Sequence, residues 1–126
     1  PIVLIGKSMG GRVGCHLAVQ DPTVAGVVCL GYPLRSQRGK LRDAVLRKIT
    51  VPVLFVQGTR DRMGPLDLLD AVRADMPVHS LVHRVDDGDH SLKVAKRTLK
   101  RTGTTQEDHD AAAFDAVREF VGGLLG

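Results

Sequence analysis

Three residues that can together activate a hydroxyl group occur at separate points of the chain. Ser8 lies in a G-x-S-x-G pattern, and Asp61 and His90 each follow a later apolar run. A serine hydroxyl attacks a carbonyl readily only when a histidine takes its proton and a carboxylate orients that histidine. The pattern therefore predicts hydrolysis of a carboxylic ester or thioester through an acyl-enzyme. Ser8 is the predicted nucleophile, His90 the general base and Asp61 the orienting acid.

The segment around Ser8 has the composition of a sharp turn between a strand and a helix. An apolar run precedes Gly6, and a helical pattern begins at Met9. Such a turn is so tight that we expect glycine to be required at both Gly6 and Gly10. The backbone N–H of Met9, at the start of the helix, is the predicted donor to an oxyanion.

The same residues permit an alternative interpretation as a nucleotide-binding site, because Gly6-Lys7-Ser8 also matches the end of the phosphate-binding motif G-x-x-x-x-G-K-[ST]. That motif needs a glycine five residues before Gly6, where Pro1 stands. It also needs a loop before the lysine, whereas here an apolar strand runs straight into Gly6. The sequence therefore favours the serine nucleophile over nucleotide binding.

The remaining histidines do not have the spacing of metal ligands with a carboxylate, so we expect neither a metal nor another cofactor. These histidines are His16, His79, His83 and His109.

Apolar runs alternate with helical periodicities along the chain, which predicts a parallel sheet with flanking helices. The last helix is predicted to begin at a capping box, Thr104-x-x-Glu107, after an irregular segment at 101–105. Strands are predicted at 1–5, 25–30, 51–56 and 80–85, and earlier helices at 9–20, about 40–48 and 66–74.

The composition narrows the class of protein. The chain has 126 residues and a net charge of +4, which fits one domain with a mild basic excess. A single tyrosine and no tryptophan make nucleic-acid binding unexpected, and no apolar run is long enough to span a membrane. Cys15 and Cys29 lie within apolar stretches, so we expect reduced thiols and a cytoplasmic protein.

Four segments, in this order, resemble one branch of the α/β-hydrolase superfamily. The branch is dienelactone-hydrolase-like and includes the testis-expressed-thirty-like proteins and the third KANSL subunit. The resemblance implies an α/β fold, of which residues 1–126 form a partial domain, the C-terminal half from the nucleophile strand onward. The segments are Leu4–Arg12, Leu30–Leu34, Val51–Asp61 and Gly88–Lys93.

The resemblance also assigns residues and an alternative function. It places Ser8, Asp61 and His90 at the nucleophile, acid and base positions, and Tyr32 and Pro33 at the substrate cleft. Some members of this branch serve as scaffolds in chromatin complexes. A catalytically weak or inactive scaffold is therefore the alternative to a hydrolase of small ester-like molecules.

The same resemblance implies strands before the nucleophile strand, about four in a complete fold, together with a second oxyanion donor from an upstream loop. We therefore expect a bare edge along Ile2–Ile5, which favours self-association or pairing with an N-terminal half.

Lys7 and Arg60 lie beside the predicted triad in sequence. Their charge favours an anionic substrate, with Lys7 as a predicted binding residue.

Overall fold

Four apolar segments form one parallel sheet in the computed structural model, which describes residues 1–126. The strand order along the sheet follows the order along the chain. The strands are β1 (Ile2–Lys7), β2 (Val24–Leu30), β3 (Val53–Gly58) and β4 (Ser80–Val85), and the helices are α1 (Met9–Gln20), α2 (Leu66–Ala74), α3 (Lys96–Thr102) and α4 (Gln106–Leu125).

Helices cover both faces of the sheet. Successive residues of a strand point to opposite faces, so each buried strand contributes side chains to both layers. In β2, Val27 and Cys29 pack on the face that α1 and α2 cover, and Val28 packs on the face of α4. In β3, Phe55 packs on the face of α1 and α2, and Leu54 packs on the face of α4. The predicted α/β architecture with a parallel sheet is confirmed.

Glycines let α1 approach the sheet closely. A Cβ on Gly11 would lie 3.1 Å from the Cβ of Cys29, and one on Gly14 would lie 3.3 Å from a methyl group of Val27. Cys15 follows on the same buried face, and its Sγ lies 3.7 Å from the Sγ of Cys29. Glycine at these two positions therefore lets α1 pack closely on β2.

The unpaired edge of β1 and one side of α1 both expose apolar side chains. β1 pairs with β2 alone, so its other edge has no strand partner. Ile2 and Ile5 on this edge are about half exposed, and the side chains of Met9, Val13 and Leu17 along α1 are exposed to a similar or greater extent. The predicted bare edge at Ile2–Ile5 is present, and the exposed apolar stripe of α1 extends it.

The helix predicted at about 40–48 is wrong, because the structure has a short turn there. Leu41 forms an isolated bridge with Arg35, and the N–H of Arg42 donates to the carbonyl of Leu34. These bonds hold the backbone at 41–42 extended. Only a single turn with helical hydrogen bonding remains before Ile49, whose N–H donates to the carbonyl of Val45.

Two details near the C-terminus also differ from the predictions. Residues 101–102, predicted to be irregular, belong to α3, and the helix is followed by Gly103 in a left-handed conformation with φ of 67°. The capping box of α4 is formed by Thr105 and Asp108, one residue later than predicted. None of the helices combines the length and the apolar character needed to cross a lipid bilayer.

Candidate active site

Ser8 occupies a sharp turn between β1 and α1, in a backbone conformation that few side chains adopt. Its φ is 52° and its ψ is −121°, and such strain persists only where the surroundings impose it. A Cβ on Gly6 would lie 2.2 Å from the carbonyl carbon of Gly10, so glycine is required at position 6. The expectation that Gly10 is equally required is wrong, because a Cβ there would meet no heavy atom within 4 Å.

The structure brings Ser8, His90 and Asp61 together in one hydrogen-bonded row. The Oγ of Ser8 lies 2.8 Å from Nε2 of His90, and Nδ1 of His90 lies 2.9 Å from Oδ2 of Asp61. An ionised carboxylate can only accept, so Nδ1 carries the proton toward Asp61. Nε2 is then free to accept the hydroxyl proton of Ser8.

The carboxylate of Asp61 is buried and fully hydrogen-bonded. Its Oδ1 accepts from the backbone N–H groups of Met63, at 2.8 Å, and Gly64, at 3.1 Å. Its Oδ2 accepts from His90 and from Nε2 of Gln57, at 3.2 Å. These bonds hold the carboxylate in one orientation, which in turn fixes the imidazole of His90.

Gln57, near the end of β3, is a residue that the sequence analysis missed. It is fully buried, and its Oε1 accepts from the N–H of Tyr32 at 2.9 Å. Its Nε2 lies within hydrogen-bond distance of Asp61 and of the carbonyls of Tyr32 and Gly64. Gln57 therefore ties the loop after β2 to the loop that carries Asp61. A polar residue ending an apolar strand was the available signal.

Two glycines let the loop of His90 pack over the strand ends. A Cβ added at Gly31, whose φ is 71°, would lie 2.6 Å from the carbonyl oxygen of His90. Gly58 would place one 2.2 Å from the carbonyl oxygen of Gly88. Any side chain at these positions would push the loop of His90 away from Ser8.

A cavity of about 370 Å³ opens beside Ser8 and is also lined by Met9 and Pro33. Met9 is the first residue of α1, and the first N–H groups of a helix have no acceptor within it. The predicted contact of Pro33 with substrate stays a prediction. Lys7 is exposed and does not line this cavity.

The predicted position of Tyr32 at the cleft is wrong, since its side chain is fully buried. Its ring packs edge-on against Phe55, with 5.8 Å between the ring centroids. Its hydroxyl donates to the carbonyl oxygen of Arg42 at 2.9 Å, and burial raises the pKa of this phenol. Tyr32 is therefore a core residue, and its hydroxyl helps to hold the segment that contains Arg42.

No group of three or more His, Cys, Asp or Glu residues is placed to hold a metal ion. Cys15 and Cys29 are free and buried. Their mutual hydrogen bond, followed by burial, raises the pKa of the Cys29 thiol well above its ordinary value.

Residues 1–122 match the sequence profile described as an alpha/beta hydrolase domain, and the chain belongs to this family. Three solved structures show the same fold. An alpha-beta serine hydrolase homologue from Coxiella burnetii is 20% identical, with a TM-score of 0.58 over 71% of this chain and 40% of that one. A protein described as a predicted CIB-like hydrolase from Thermoplasma acidophilum is 22% identical, with a TM-score of 0.63 over 93% and 50%.

The third structure is BpoC from Mycobacterium tuberculosis H37Rv, which is named as a non-heme bromoperoxidase. It is 14% identical, with a TM-score of 0.71 over 98% of this chain and 68% of that chain. The present chain therefore spans half or less of the length of the first two relatives. At these identities the similarity defines the fold, and the family supports a hydrolase.

Proposed function

We propose that this protein is a serine hydrolase of small carboxylic esters or thioesters, with Ser8 as nucleophile. The observation that carries the proposal is the row of short hydrogen bonds from Ser8 through His90 to Asp61. The strained turn at Ser8 adds support, because it holds the hydroxyl at the mouth of a cavity. Membership of the alpha/beta hydrolase family is consistent with this chemistry.

The proposed reaction has two halves. Nε2 of His90 takes the hydroxyl proton as Oγ of Ser8 bonds to the carbonyl carbon, and the backbone N–H of Met9 stabilises the oxyanion. The C–O or C–S bond then breaks, and His90 returns the proton to the leaving alcohol or thiol. In the second half His90 takes a proton from water as the water oxygen bonds to the acyl carbon. The bond between that carbon and Oγ of Ser8 then breaks, His90 returns the proton to Oγ, and the acid leaves. Asp61 stays ionised and orients His90 throughout.

We also propose a family branch, a cellular location and an association surface for this protein. The four motif segments support a place in the dienelactone-hydrolase-like branch, near the testis-expressed-thirty group. The two buried free thiols support a cytoplasmic location. The uncovered apolar edge of β1 supports association through Ile2–Ile5, either between copies or with further strands.

Labelling with a fluorophosphonate probe tests the proposed nucleophile. The probe should modify the protein, expressed as its gene encodes it, and Ser8→Ala should abolish the signal. His90→Asn should slow labelling by about 100-fold or more, because the general base is lost.

Ser91→Ala provides a matched control. Ser91 is exposed and adjoins His90 in sequence, and its side chain takes no part in the row of hydrogen bonds. Labelling should persist in this variant. An unlabelled wild-type protein, or labelling that survives Ser8→Ala, would favour the alternative of a catalytically inactive scaffold.

A further inference from the structure

The cavity beside Ser8 is strongly basic. Three arginines line it, Arg12, Arg38 and Arg42, and no aspartate or glutamate does. The other polar lining residues, apart from Ser8, are the neutral Ser36 and Gln37. A site for an uncharged ester has no need of three guanidinium groups within one small cavity.

These arginines have no anionic partners within the chain. The carboxylate next in sequence to Arg42 is that of Asp43, which is partly buried and pairs with Arg47 at 2.8 Å. The other ion pairs between arginine and aspartate use Asp70 and Asp75, outside the cavity. The positive charge that faces the cavity is therefore not neutralised by the protein.

Arg12 supplies a second, independent observation. Its Nε is shielded from solvent and has no hydrogen-bond partner, and it is the only buried side-chain nitrogen or oxygen in the chain of which this is true. A buried donor without a partner is costly, especially in a charged group. Arg12 also lies one helical turn after Ser8, and helical side chains lean toward the N-terminus of their helix. Arg12 and Ser8 line the same cavity, so a substrate bonded to Ser8 lies within the space that Arg12 borders.

We propose, building on the proposed serine hydrolase, that the substrate is an ester or thioester whose acyl group ends in a carboxylate. Arg12, Arg38 and Arg42 bind this carboxylate. The planar fork of a guanidinium matches a carboxylate in a bidentate geometry. A cavity of about 370 Å³ fits a short dicarboxylic half-ester.

The acyl side is favoured over the leaving group by the position of His90. In the proposed reaction His90 gives its proton to the leaving group, so that group lies on the side of His90. His90 lines a separate cavity of about 410 Å³, whereas Ser8 and Met9 line the arginine cavity. The acyl group, bonded to Ser8 with its oxygen near Met9, therefore extends toward the arginines.

Paired substrates test this specificity. The nitrophenyl half-ester of glutaric acid is compared with nitrophenyl 5-methylhexanoate, whose terminal isopropyl group has the size of the carboxylate. The ratio of the two kcat/KM values should favour the half-ester in the wild-type protein. Arg12→Gln and Arg42→Gln should each lower that ratio by about tenfold or more, the usual worth of one charged hydrogen bond.

Lys100→Gln is the matched control, because it removes one positive charge from an exposed position on α3 that does not line this cavity. The ratio should be unchanged in this variant. A wild-type ratio near one, or an equal fall in Lys100→Gln, would overturn the proposal even while a fluorophosphonate still labels Ser8.

Binding of glutarate to Ser8→Ala, measured by calorimetry, separates the anion site from catalysis. Glutarate should bind, and adding Arg12→Gln should weaken it by about tenfold or more. Such binding without turnover of either ester would uphold the anion site and contradict the proposed hydrolase. Failure to bind glutarate would contradict the anion site whatever the esterase assay shows.

Discussion

Replacing Gly31 with alanine should disturb the site through the backbone of His90. Gly31 has φ of 71°, and its new Cβ would lie 2.6 Å from the carbonyl oxygen of His90 and 3.6 Å from Nδ1. The left-handed conformation costs about 1–2 kcal/mol for a residue with a Cβ. The overlap with a packed loop adds about 1–3 kcal/mol, so the free energy of unfolding should fall by about 2–5 kcal/mol.

Gly39 offers the matched control. Its φ is 82°, yet a Cβ there would meet no heavy atom within 4 Å. Gly39→Ala should therefore show only the conformational cost, about 1–2 kcal/mol, and should leave the position of His90 unchanged. The difference between the two variants isolates the contact between the loop after β2 and the loop of His90.

Urea unfolding and the rate of fluorophosphonate labelling measure the two consequences. Gly31→Ala should unfold at lower urea than Gly39→Ala and should label Ser8 more slowly, because His90 is displaced. Equal stability and equal labelling in the two variants would refute the inference that Gly31 is needed for the close approach of the His90 loop.

Three further perturbations test other parts of the structure. Gln57→Leu leaves the buried N–H of Tyr32 without its acceptor and removes a donor to Asp61, so unfolding free energy should fall by about 1–3 kcal/mol; unchanged stability and labelling would contradict the positioning role of Gln57. Because the pKa of Cys29 is raised, a disulfide reagent at neutral pH should modify this thiol only after urea unfolding; prompt reaction of the folded protein would show that it is not buried. Ile5→Lys should lower the sedimentation-average mass if copies associate through β1, whereas Leu81→Lys on the opposite edge strand should not; the reverse order would place the contact on β4.

Elements with a strong apolar pattern were well predicted from the sequence. The bounds of α1, α2 and β4 agree with the structure, since each is flanked by residues that stop its pattern. β3 begins at Val53 and continues to Gly58, later than the apolar run that predicted it. The strand ends later than predicted because the buried Gln57 belongs to it, and hydrophobicity alone cannot reveal a buried polar residue whose side chain is fully hydrogen-bonded.

The sequence predicted the three residues of the hydrogen-bonded row, but it did not predict the cavity beside them. Sequence order and position after strands were sufficient to select Ser8, Asp61 and His90, which the structure brings within hydrogen-bond distance. Their catalytic roles remain predictions. The basic cavity depends on Arg38 and Arg42, which a nonhelical segment carries toward Ser8. The helix predicted at about 40–48 would have contained Arg42 but not Arg38. Because this segment is not helical, the position of Arg42 could not be derived from the pattern.

Trapping the acyl-enzyme tests the central proposal most directly. The protein is mixed with an excess of an activated ester, quenched in acid within its first turnovers, and analysed by mass spectrometry after trypsin digestion. The proposal predicts one acyl group on the peptide Ser8–Arg12, located on Ser8 and absent from Ser8→Ala. Ester turnover with no adduct there, or with the acyl group on another residue, would contradict Ser8 as the nucleophile.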